Sequence, residues 1–454
     1  MRKFKRHNLM VTVSFRRQLL TICSCLVLLI FAGCSQPAKP SNKILLWYWM
    51  TDCNDTFLKL AQEYKQETGI DVSVRLFAPS DSYAQMIVAA AQAQVLPDIY
   101  GILNTKSIVA DFIKAGLVTD LTDEMNANDP AQNHGAGGTW ADTLFYKALA
   151  DKSFEIGNIY GVKPGIYGVP IDVTNEQILY NRKLLAKAGI STPPSTYEEF
   201  IKDSLALKRV GITPFVSGWG ELWLIDCFAS NYAFNIMGED KIFATYRGQI
   251  KYTDPDWIKV FSIFADLRDK GVLMDGIVTK GNKYAEQDFA LERAAFAFNG
   301  SWCVNVYQDM NPNLDYGVMP PPPVSKAFPL KIWGGAGSSF VVNATSPNKD
   351  KAIAFLKWLT AQKQQVLLAR ETNNLPSNKE ALKEVLSVVS PVLGKFSKGM
   401  AQSTHPTIWP VNEDPLVIEA FDKGIQAIII GERTPQQVAQ DVQTLKDHQM
   451  AKGI

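Results

Sequence analysis

Histidine and the motifs of common enzymes are scarce in this 454-residue sequence, which has four histidines. Three of them, His134, His405 and His448, are far apart and lack the spacing of metal ligands. The sequence has no GxSxG motif, which presents a nucleophilic serine, and no P-loop, which cradles phosphate groups. These absences argue against most enzyme classes. A secreted glycosidase stays open as an alternative, because it needs only two positioned carboxylates and 45 acidic residues always supply pairs.

Cysteine is also infrequent, with six residues and no CxxC spacing. Three of the six lie in an apolar segment near the N-terminus. The other three, Cys53, Cys227 and Cys303, are widely spaced, which does not indicate a zinc site. An odd number leaves at least one thiol free in an oxidising compartment. One pair could form a disulfide, and the sequence does not say which.

Acidic residues are absent before Asp52, whereas six basic residues lie within the first 17 positions. An uncharged apolar run, LLTICSCLVLLIFAGC, follows and is too short for a comfortable membrane span. A basic start, an apolar run and small residues at its end predict a secretory signal peptide over residues 1–33. Its removal leaves 40 basic and 45 acidic residues, a net charge near −5, with no dense basic patch of the kind that binds nucleic acids.

The end of the apolar run, IFAGC, resembles a bacterial lipobox, in which a small pair precedes a cysteine that is lipidated and becomes the new N-terminus. Here the small pair is Ala32-Gly33, and the resemblance implies that acyl chains on Cys34 hold the protein to a membrane surface. The alternative is a plain signal peptide with an incidental cysteine. Residues 34–43 are predicted to form a flexible tether.

The rest of the chain is too long for one ordinary core, which predicts two lobes. A content of 46% hydrophobic and 20% charged residues is typical of soluble globular proteins. The segments KILLWYWM, IDVSVRLF and DIYGIL have strand patterns, and helical patterns lie between them. This β-α-β-α-β order predicts a parallel sheet with helices on its faces. The turn-rich stretch over residues 123–165 predicts a long surface loop or lid.

Several segments, in order, resemble the family 1 bacterial extracellular solute-binding proteins, the sugar-binding components of ABC importers, which include the maltose/maltodextrin-binding protein. The most distinctive are YGVPIDVTNEQILYNRKLLAKAGI, PPSTYEEF and AAFAFNGSW. Together with LPDIYGI, DYGVMPPPP and VVNATSPNKDKAIAFLKWLT, the matching segments span nearly all of residues 44–454. Glu292-Arg293, before the NGSW motif, depart from the family pattern, which often has a glycine there.

The resemblance implies a two-lobed periplasmic-binding-protein-like fold of the α/β class, with two open α/β sheets, a hinge of two or three crossing segments and a ligand cleft between the lobes. Closure of the cleft around a ligand lets a partner permease sense binding. The predicted crossings are near Ile171–Asn175, Gly334–Ser339 and 375–395. The predicted boundaries are 44–172 plus 338–390 for lobe 1 and 173–337 plus 391–454 for lobe 2.

Sugar ligands need aromatic rings that pack on their C–H faces and planar polar side chains that bind their hydroxyls. The resemblance places Trp302, of the NGSW motif, as the aromatic platform of the second lobe, after a turn made by Asn299 and Gly300. In SGWGELW, two glycines predict a loop with Trp219 facing the ligand and Trp223 facing the core. Helical spacing would instead place both of these tryptophans in one core stripe.

The family also presents polar contacts at strand ends and at the hinge. The corresponding residues here have simpler alternatives: a core aromatic for Trp49, a helix N-cap for Asp52 and a turn residue for Asn104. The predicted ligand contacts are Trp49, Thr51, Asp52, Asn104, Thr174, Asn175, Trp219, Glu221, Asn299, Trp302, Gly334, Gly335 and Trp409. Candidates of lower rank are Trp333, Arg370 and Glu371.

These observations predict a monomeric, lipid-anchored, extracytoplasmic receptor that binds a sugar and delivers it to an ABC permease. They predict no catalysis, no cofactor, no metal and no nucleic-acid partner. The alternative is the same fold with another solute, such as a polyol, a glycerol phosphate or a peptide. The abundance of aromatic residues favours a carbohydrate, and no Arg/Lys cluster at the predicted cleft favours an anion.

Overall fold

The computed structural model describes residues 41–103, 106–128, 138–158, 160–386, 390–400 and 413–452. The strands, in chain order, are β1 (Lys43–Tyr48), β2 (Asp71–Leu76), β3 (Ile99–Gly101), β4 (Ser153–Phe154), β5 (Gly165–Ile166), β6 (Val169–Pro170), β7 (Asp172–Asn181), β8 (Thr213–Val216), β9 (Ala294–Gly300), β10 (Tyr316–Met319), β11 (Gly334–Ala336), β12 (Ser339–Val342) and β13 (Leu375–Pro376).

The helices, in chain order, are α1 (Asn54–Thr68), α2 (Ser80–Gln92), α3 (Lys106–Lys114), α4 (Thr122–Asn126), α5 (Trp140–Thr143), α6 (Tyr146–Leu149), α7 (Arg182–Lys187), α8 (Tyr197–Arg209), α9 (Trp223–Tyr246), α10 (Pro255–Asp269), α11 (Asn282–Ala290), α12 (Cys303–Met310), α13 (Lys349–Leu359), α14 (Gln362–Thr372), α15 (Lys379–Val385), α16 (Pro391–Gly399), α17 (Pro415–Ile429) and α18 (Pro435–Ala451). Helix α9 is kinked at Gly238, whose φ is +74°. Short 3-10 helices are Thr51–Cys53, Ala150–Lys152 and Ile277–Thr279.

The first sheet has the strand order β2-β1-β3-β12-β6. Strand β1 is parallel to β2 and β3, whereas β12 is antiparallel to β3 and β6. Helix α1 buries Phe57, Leu60 and Tyr64 against this sheet and ends at Gly69, whose left-handed conformation lets its N–H bond to the carbonyl of Lys65. The parallel β-α-β-α-β unit that the sequence predicts is confirmed.

The second sheet has the strand order β10-β7-β9-β8, with β11 and β13 also paired to β7. Strand β7 is buried along all ten residues because strands or helices cover both of its faces. The core on this side contains Phe200, Phe215, Phe228 and Phe264. Two open α/β sheets, one in each lobe, confirm the predicted fold class.

The three segments predicted to cross between the lobes lie side by side. Strand β7 pairs with β11 and β13 through Val173, which faces Ala336 on one side and Leu375 on the other. One residue separates β6 of the first sheet from β7, and two residues separate β11 from β12 of the first sheet. The chain therefore passes between the sheets at two neighbouring places. The exact lobe boundaries stay a prediction.

Two local predictions are wrong. Asn299 and Gly300 do not form a turn, because they are the last residues of β9 and pair with Gln177 and Glu176 of β7. The described part of residues 123–165 is not one long loop, because it contains short helices and the β4-β5 hairpin. Trp140 of this region is fully buried and donates a hydrogen bond of 2.9 Å to Thr360 Oγ1.

The three cysteines of the described chain, Cys53, Cys227 and Cys303, are buried and free, so the disulfide left open by the sequence does not form among them. Within the described residues, no helix has both the length and the apolar character that crossing a membrane requires.

Candidate ligand-binding cleft

A cleft of about 1300 Å³ lies between the two lobes. Its first wall includes residues 49–52, which follow β1, and residues 78–81, before and at the start of α2. Its second wall includes residues 220–223 before and at the start of α9, together with residues of β7. The first wall therefore lies beyond the carboxyl end of a parallel strand, where open α/β sheets bind their ligands.

Among the described residues, four tryptophans line the cleft, and Trp49 is the one from the first lobe. Its ring centroid is 5.2 Å from that of Tyr83 and 6.2 Å from that of Phe340. The indole lies against Gly101 of β3, where a Cβ atom would come within 2.1 Å of the ring. Trp49 is half-buried, so it packs against the first lobe and still presents part of its ring to the cleft.

Trp302 and Trp223 form the aromatic wall of the second lobe. Their ring centroids are 5.8 Å apart, with an angle of 50° between the planes. The Trp302 ring lies directly against Gly300, where a Cβ atom would come within 1.8 Å of it. Both tryptophans are half-buried, and two tilted rings of this kind can hold two successive faces of an extended ligand.

Glu286, which is fully buried, holds Trp302 in place. Its Oε1 accepts hydrogen bonds of 3.2 Å from Trp302 Nε1 and from Asn299 Nδ2. Its Oε2 is 3.0 Å from Lys283 Nζ, which lines the cleft. The buried carboxylate therefore has both donors and a countercharge, and the Trp302 indole has a fixed orientation.

Glu221 holds the Trp223 indole in place, as Glu286 holds that of Trp302. Its Oε2 accepts a hydrogen bond of 3.0 Å from Trp223 Nε1, and its Oε1 accepts one of 2.7 Å from the backbone N–H of Asn282. Glu221 itself lines the cleft and is half-buried. It is therefore placed both to orient the indole and to meet a ligand hydroxyl.

Strand β7 directs alternate side chains into the cleft, because successive residues of a strand point to opposite faces. Asp172, Thr174 and Glu176 line the cleft. Thr174 Oγ1 is 3.0 Å from Ser301 Oγ, and Asp172 Oδ1 accepts the backbone N–H of Ser338. Burial and, to a smaller extent, the nearby charge of Asp52 raise the pKa of Asp172 to about 7, against the lowering effect of that backbone hydrogen bond.

Asp52 and Thr51 lie at the end of the first-lobe wall. Asp52 Oδ2 accepts a hydrogen bond of 2.8 Å from Asn374 Nδ2, and Thr51 is exposed. The N-cap alternative for Asp52 is wrong: Cys53 occupies the N-cap position of α1, and no side chain caps the helix. The Asp52 carboxylate thus joins the cleft to the segment between α14 and β13.

The cleft is acidic. Within the described part of the chain, nine carboxylate side chains line it, against three lysines and no arginine. Acidic side chains come from both walls. Burial raises the pKa of Asp81 on the first wall, and the negative charge of Glu221 on the second wall raises it to a smaller extent. In the same residues, no group of three or more His, Cys, Asp and Glu side chains is arranged to hold a metal ion.

A family model described as bacterial extracellular solute-binding protein matches residues 49–366. The chain belongs to this family. The family resemblance of the sequence is confirmed, and the match includes the first-lobe wall, strand β7 and both second-lobe tryptophans.

Among relatives of this solute-binding protein, the melibiose/raffinose/stachyose-binding protein MelE of Bacillus subtilis (strain 168) is 25% identical over 372 residues, which are 78% of this chain and 79% of MelE. A solved chitin oligosaccharide binding protein has a TM-score of 0.72 at 23% identity and covers 89% of this chain and 98% of its own. The Thermus thermophilus maltotriose binding protein, bound with maltotriose, has a TM-score of 0.69 at 20% identity over 90% and 100%. The structural likenesses show the two-lobed fold.

The prediction that Trp219 faces the ligand is wrong. Its side chain is fully buried among Phe215, Phe228 and Phe264, with ring centroids 5.2–5.5 Å away. The two glycines that flank it serve packing: a Cβ atom at Gly218 would come within 2.4 Å of the backbone of Asn282. At Gly220, a Cβ atom would come within 2.8 Å of the Lys280 carbonyl. Trp223, predicted for the core, lines the cleft instead.

Three other predicted contacts lie outside the cleft lining. Asn175 is fully buried on the opposite face of β7, where its Nδ2 donates to the carbonyl of Phe396 at 2.7 Å. Asn299 is buried beside Glu286 and supports the platform from behind. Gly335 pairs with Thr174 without lining the cleft, whereas its neighbour Gly334 does line it.

The remaining predicted contacts, together with the candidates of lower rank, divide into three groups. Trp49, Thr51, Asp52, Thr174, Glu221, Trp302 and Gly334 lie together on the cleft walls, as does Trp333. Asn104 and Trp409 lie outside the described residues, as does Cys34. Arg370 and Glu371 are not cleft residues; Arg370 pairs with Glu384, and Glu371 pairs with Lys59.

Sequence reasoning missed the acidic residues of the second wall. Asp172 and Glu176 had a usable signal, since they alternate with Thr174 along one strand. Asp226 and Asp422 had none, because they lie nearly 200 residues apart on helices α9 and α17 and meet only in the fold.

Proposed function

We propose that this solute-binding protein binds a sugar or oligosaccharide in the cleft and delivers it to the transmembrane subunits of an ABC importer. The tilted pair of Trp302 and Trp223 carries the proposal, because rings held by the carboxylates of Glu286 and Glu221 and partly exposed to a large cleft suit the C–H faces of pyranose units. The names of MelE and of the two structural relatives include oligosaccharides, which supports the same ligand class.

The acidic character of the cleft favours a sugar over the anionic solutes that share this fold as possible ligands. A glycerol phosphate or another anionic solute would find every lining lysine of the described chain already paired with a carboxylate, among nine acidic side chains. Hydroxyl-rich ligands are compatible with them, since carboxylates accept hydrogen bonds from hydroxyls. We propose binding without hydrolysis, in line with relatives that are named as binding proteins.

Intrinsic tryptophan fluorescence, titrated with neutral mono- and oligosaccharides and their amino derivatives, tests the proposal. We expect a saturable change in emission with at least one saccharide, because ligands would cover rings that are now half-exposed. The absence of any response across the panel, or measurable hydrolysis of a saccharide, would contradict it.

We further propose that the protein acts outside the cytoplasm, as a monomer held to a membrane by acyl chains on Cys34. The family description as extracellular supports the location. Changing Cys34→Ser in the full chain should move the protein from the membrane fraction to the soluble fraction. Continued membrane association of this variant would contradict the anchor and would leave the sugar-binding proposal intact.

A further inference from the structure

Three carboxyl side chains form one cluster in the second wall of the cleft: Glu176 of β7, Asp226 of α9 and Asp422 of α17. All three line the cleft, and all are more than nine-tenths buried, at 0%, 7% and 1% exposure. They are close enough for the charge of Asp226 to act on both of the others. This set is called the carboxyl cluster below.

The carboxyl cluster is short of hydrogen-bond donors. Among the described residues, neither carboxyl oxygen of Glu176 has a nitrogen or oxygen donor within hydrogen-bond distance, and Asp422 Oδ1 has none either. The Cys227 thiol lies beside Glu176 and Asp226, but a thiol is a weak donor. Buried carboxyl groups without partners are costly, and a folded protein retains them chiefly where something else satisfies them.

The cleft also has no free positive charge to offer the cluster within the described residues. Lys152 is 2.6 Å from Asp151, and Lys283 is 3.0 Å from Glu286. The third lysine, Lys423, pairs with Glu419 one turn earlier on α17. Each lining lysine thus has a carboxylate of its own, and the three acids of the cluster share none of them.

We infer that the saccharide bound by this protein carries a protonated amine, and that the amine lies against Glu176 and its neighbours in the carboxyl cluster. The inference rests on the proposed function and specifies its ligand class as an amino sugar or an aminated oligosaccharide. An ammonium group supplies up to three N–H donors and the missing positive charge at one point, whereas a neutral hydroxyl supplies one donor and no charge.

Two further observations favour an organic cation. Trp333 lines the cleft next to the cluster, and its carbonyl accepts the backbone N–H of Glu176 at 3.0 Å; aromatic faces attract cations. Burial raises the pKa of Glu176 and raises that of Asp226 to about 8, because negative charge without a partner is unfavourable there, and an ammonium group would supply the countercharge that stabilises it. A metal ion would need a ligand set that the described residues do not form.

Matched saccharides test the inference directly. Calorimetric titration of the full chain, in detergent if the anchor requires it, compares gluco-, galacto- and manno-configured mono- and disaccharides that carry at C2 an amine, an N-acetyl group or a hydroxyl. We expect, for the best-bound configuration, the amine to bind roughly 10- to 100-fold more tightly than both neutral forms, as for a charged hydrogen bond.

Variants then test whether the preference for the amine depends on the carboxyl cluster. Glu176→Gln keeps the side-chain shape and should reduce the advantage of the amine at least about tenfold, while the neutral forms change little. Asp422→Asn serves as a second probe should Glu176→Gln fold poorly, as judged by circular dichroism. Glu380→Gln, the same chemical change on an exposed residue outside the cleft, should have no effect.

The outcomes separate the two proposals. Equal or tighter binding of neutral sugars, or an amine preference that survives both cluster variants, would overturn the inference and leave sugar binding in place. A lack of binding by every saccharide, neutral or aminated, would overturn the proposed function itself, and the inference with it.

Discussion

At the scale of single residues, Trp302 depends on neighbours that never reach the cleft. Gly300 leaves room for its ring, and buried Glu286 accepts its indole N–H. Asn299 donates to the same carboxylate from the other side. Its orientation is thus set before a ligand arrives, which reduces the ordering cost of binding.

Replacing Trp302 should therefore weaken binding more than folding. We expect Trp302→Ala to lower sugar affinity by about 1–3 kcal/mol through lost stacking and apolar contact. Glu286 keeps Lys283 and Asn299 as partners, so the fold should persist. Fluorescence or calorimetric titration measures the loss, with Trp358→Ala outside the cleft as the control.

Trp219→Ala should show the opposite pattern. It removes a ring packed among three phenylalanines and should reduce the free energy of unfolding by about 3–5 kcal/mol in denaturant titrations. Wild-type affinity for Trp302→Ala, or wild-type stability for Trp219→Ala, would contradict the assignment of these two rings.

The carboxyl group of Asp172 makes the free energy of unfolding depend on pH. Its pKa in the folded protein is about 7, whereas the unfolded group titrates near 3.8. From about pH 4 to 7 the folded state holds a proton that the unfolded chain has released, so its contribution to stability falls as the pH rises and is constant above pH 7.

Asp172→Asn removes this titration while its side-chain oxygen can still accept the Ser338 N–H. We expect the variant to gain stability relative to the wild type on going from pH 5 to pH 8, by an amount on the order of a few kcal/mol. Urea unfolding of both proteins at both pH values gives the difference. A difference that does not change with pH would be inconsistent with a buried, protonated Asp172.

At the scale of elements, the crossing strands depend on close backbone contact. Gly334 of β11 packs on β7, where a Cβ atom would come within 2.5 Å of the Thr174 carbonyl and 2.6 Å of Asn175 Cβ. Neither neighbour can move without disturbing the pairing of β7 and β11. The same residue lines the cleft.

Gly334→Ala should consequently destabilise the protein by about 1–3 kcal/mol and lower ligand affinity as well. Gly394→Ala in α16 is the matched control, because a Cβ atom there meets nothing within 4 Å and alanine favours helix. Thermal unfolding and ligand titration measure both effects. Wild-type stability and wild-type affinity for Gly334→Ala would contradict the close packing of β11 on β7.

Elements were more predictable from sequence than side-chain directions. Helix α1 is predictable because Phe57, Leu60 and Tyr64 recur at helical spacing, a local pattern that packing on the sheet preserves. The predicted positions of Trp219 and Trp223 are the reverse of the observed ones. The glycines on either side of Trp219 indicate a loop, and they do so equally well whether they contact a ligand or a neighbouring backbone. Strand alternation separates Thr174 from Asn175, so that error was avoidable. The carboxyl cluster has no local pattern, since its residues come from three distant segments.

At the scale of the whole molecule, the crossing strands join two lobes that share one cleft. Trp49 and Trp302 line opposite walls of the cleft, so a ligand that contacts both would favour a closed form in which the walls approach. We expect saturating sugar to reduce the radius of gyration measured by small-angle X-ray scattering, and Trp302→Ala to require more sugar for the same change. An unchanged radius at saturation would contradict closure around the ligand.

The most direct test of sugar binding in this cleft is the electron density of crystals grown with the saccharide that binds most tightly. Our account predicts a sugar ring stacked on Trp302 or Trp223, with a polar substituent near Glu176. Density for that sugar elsewhere on the molecule, with an empty cleft, would contradict the account.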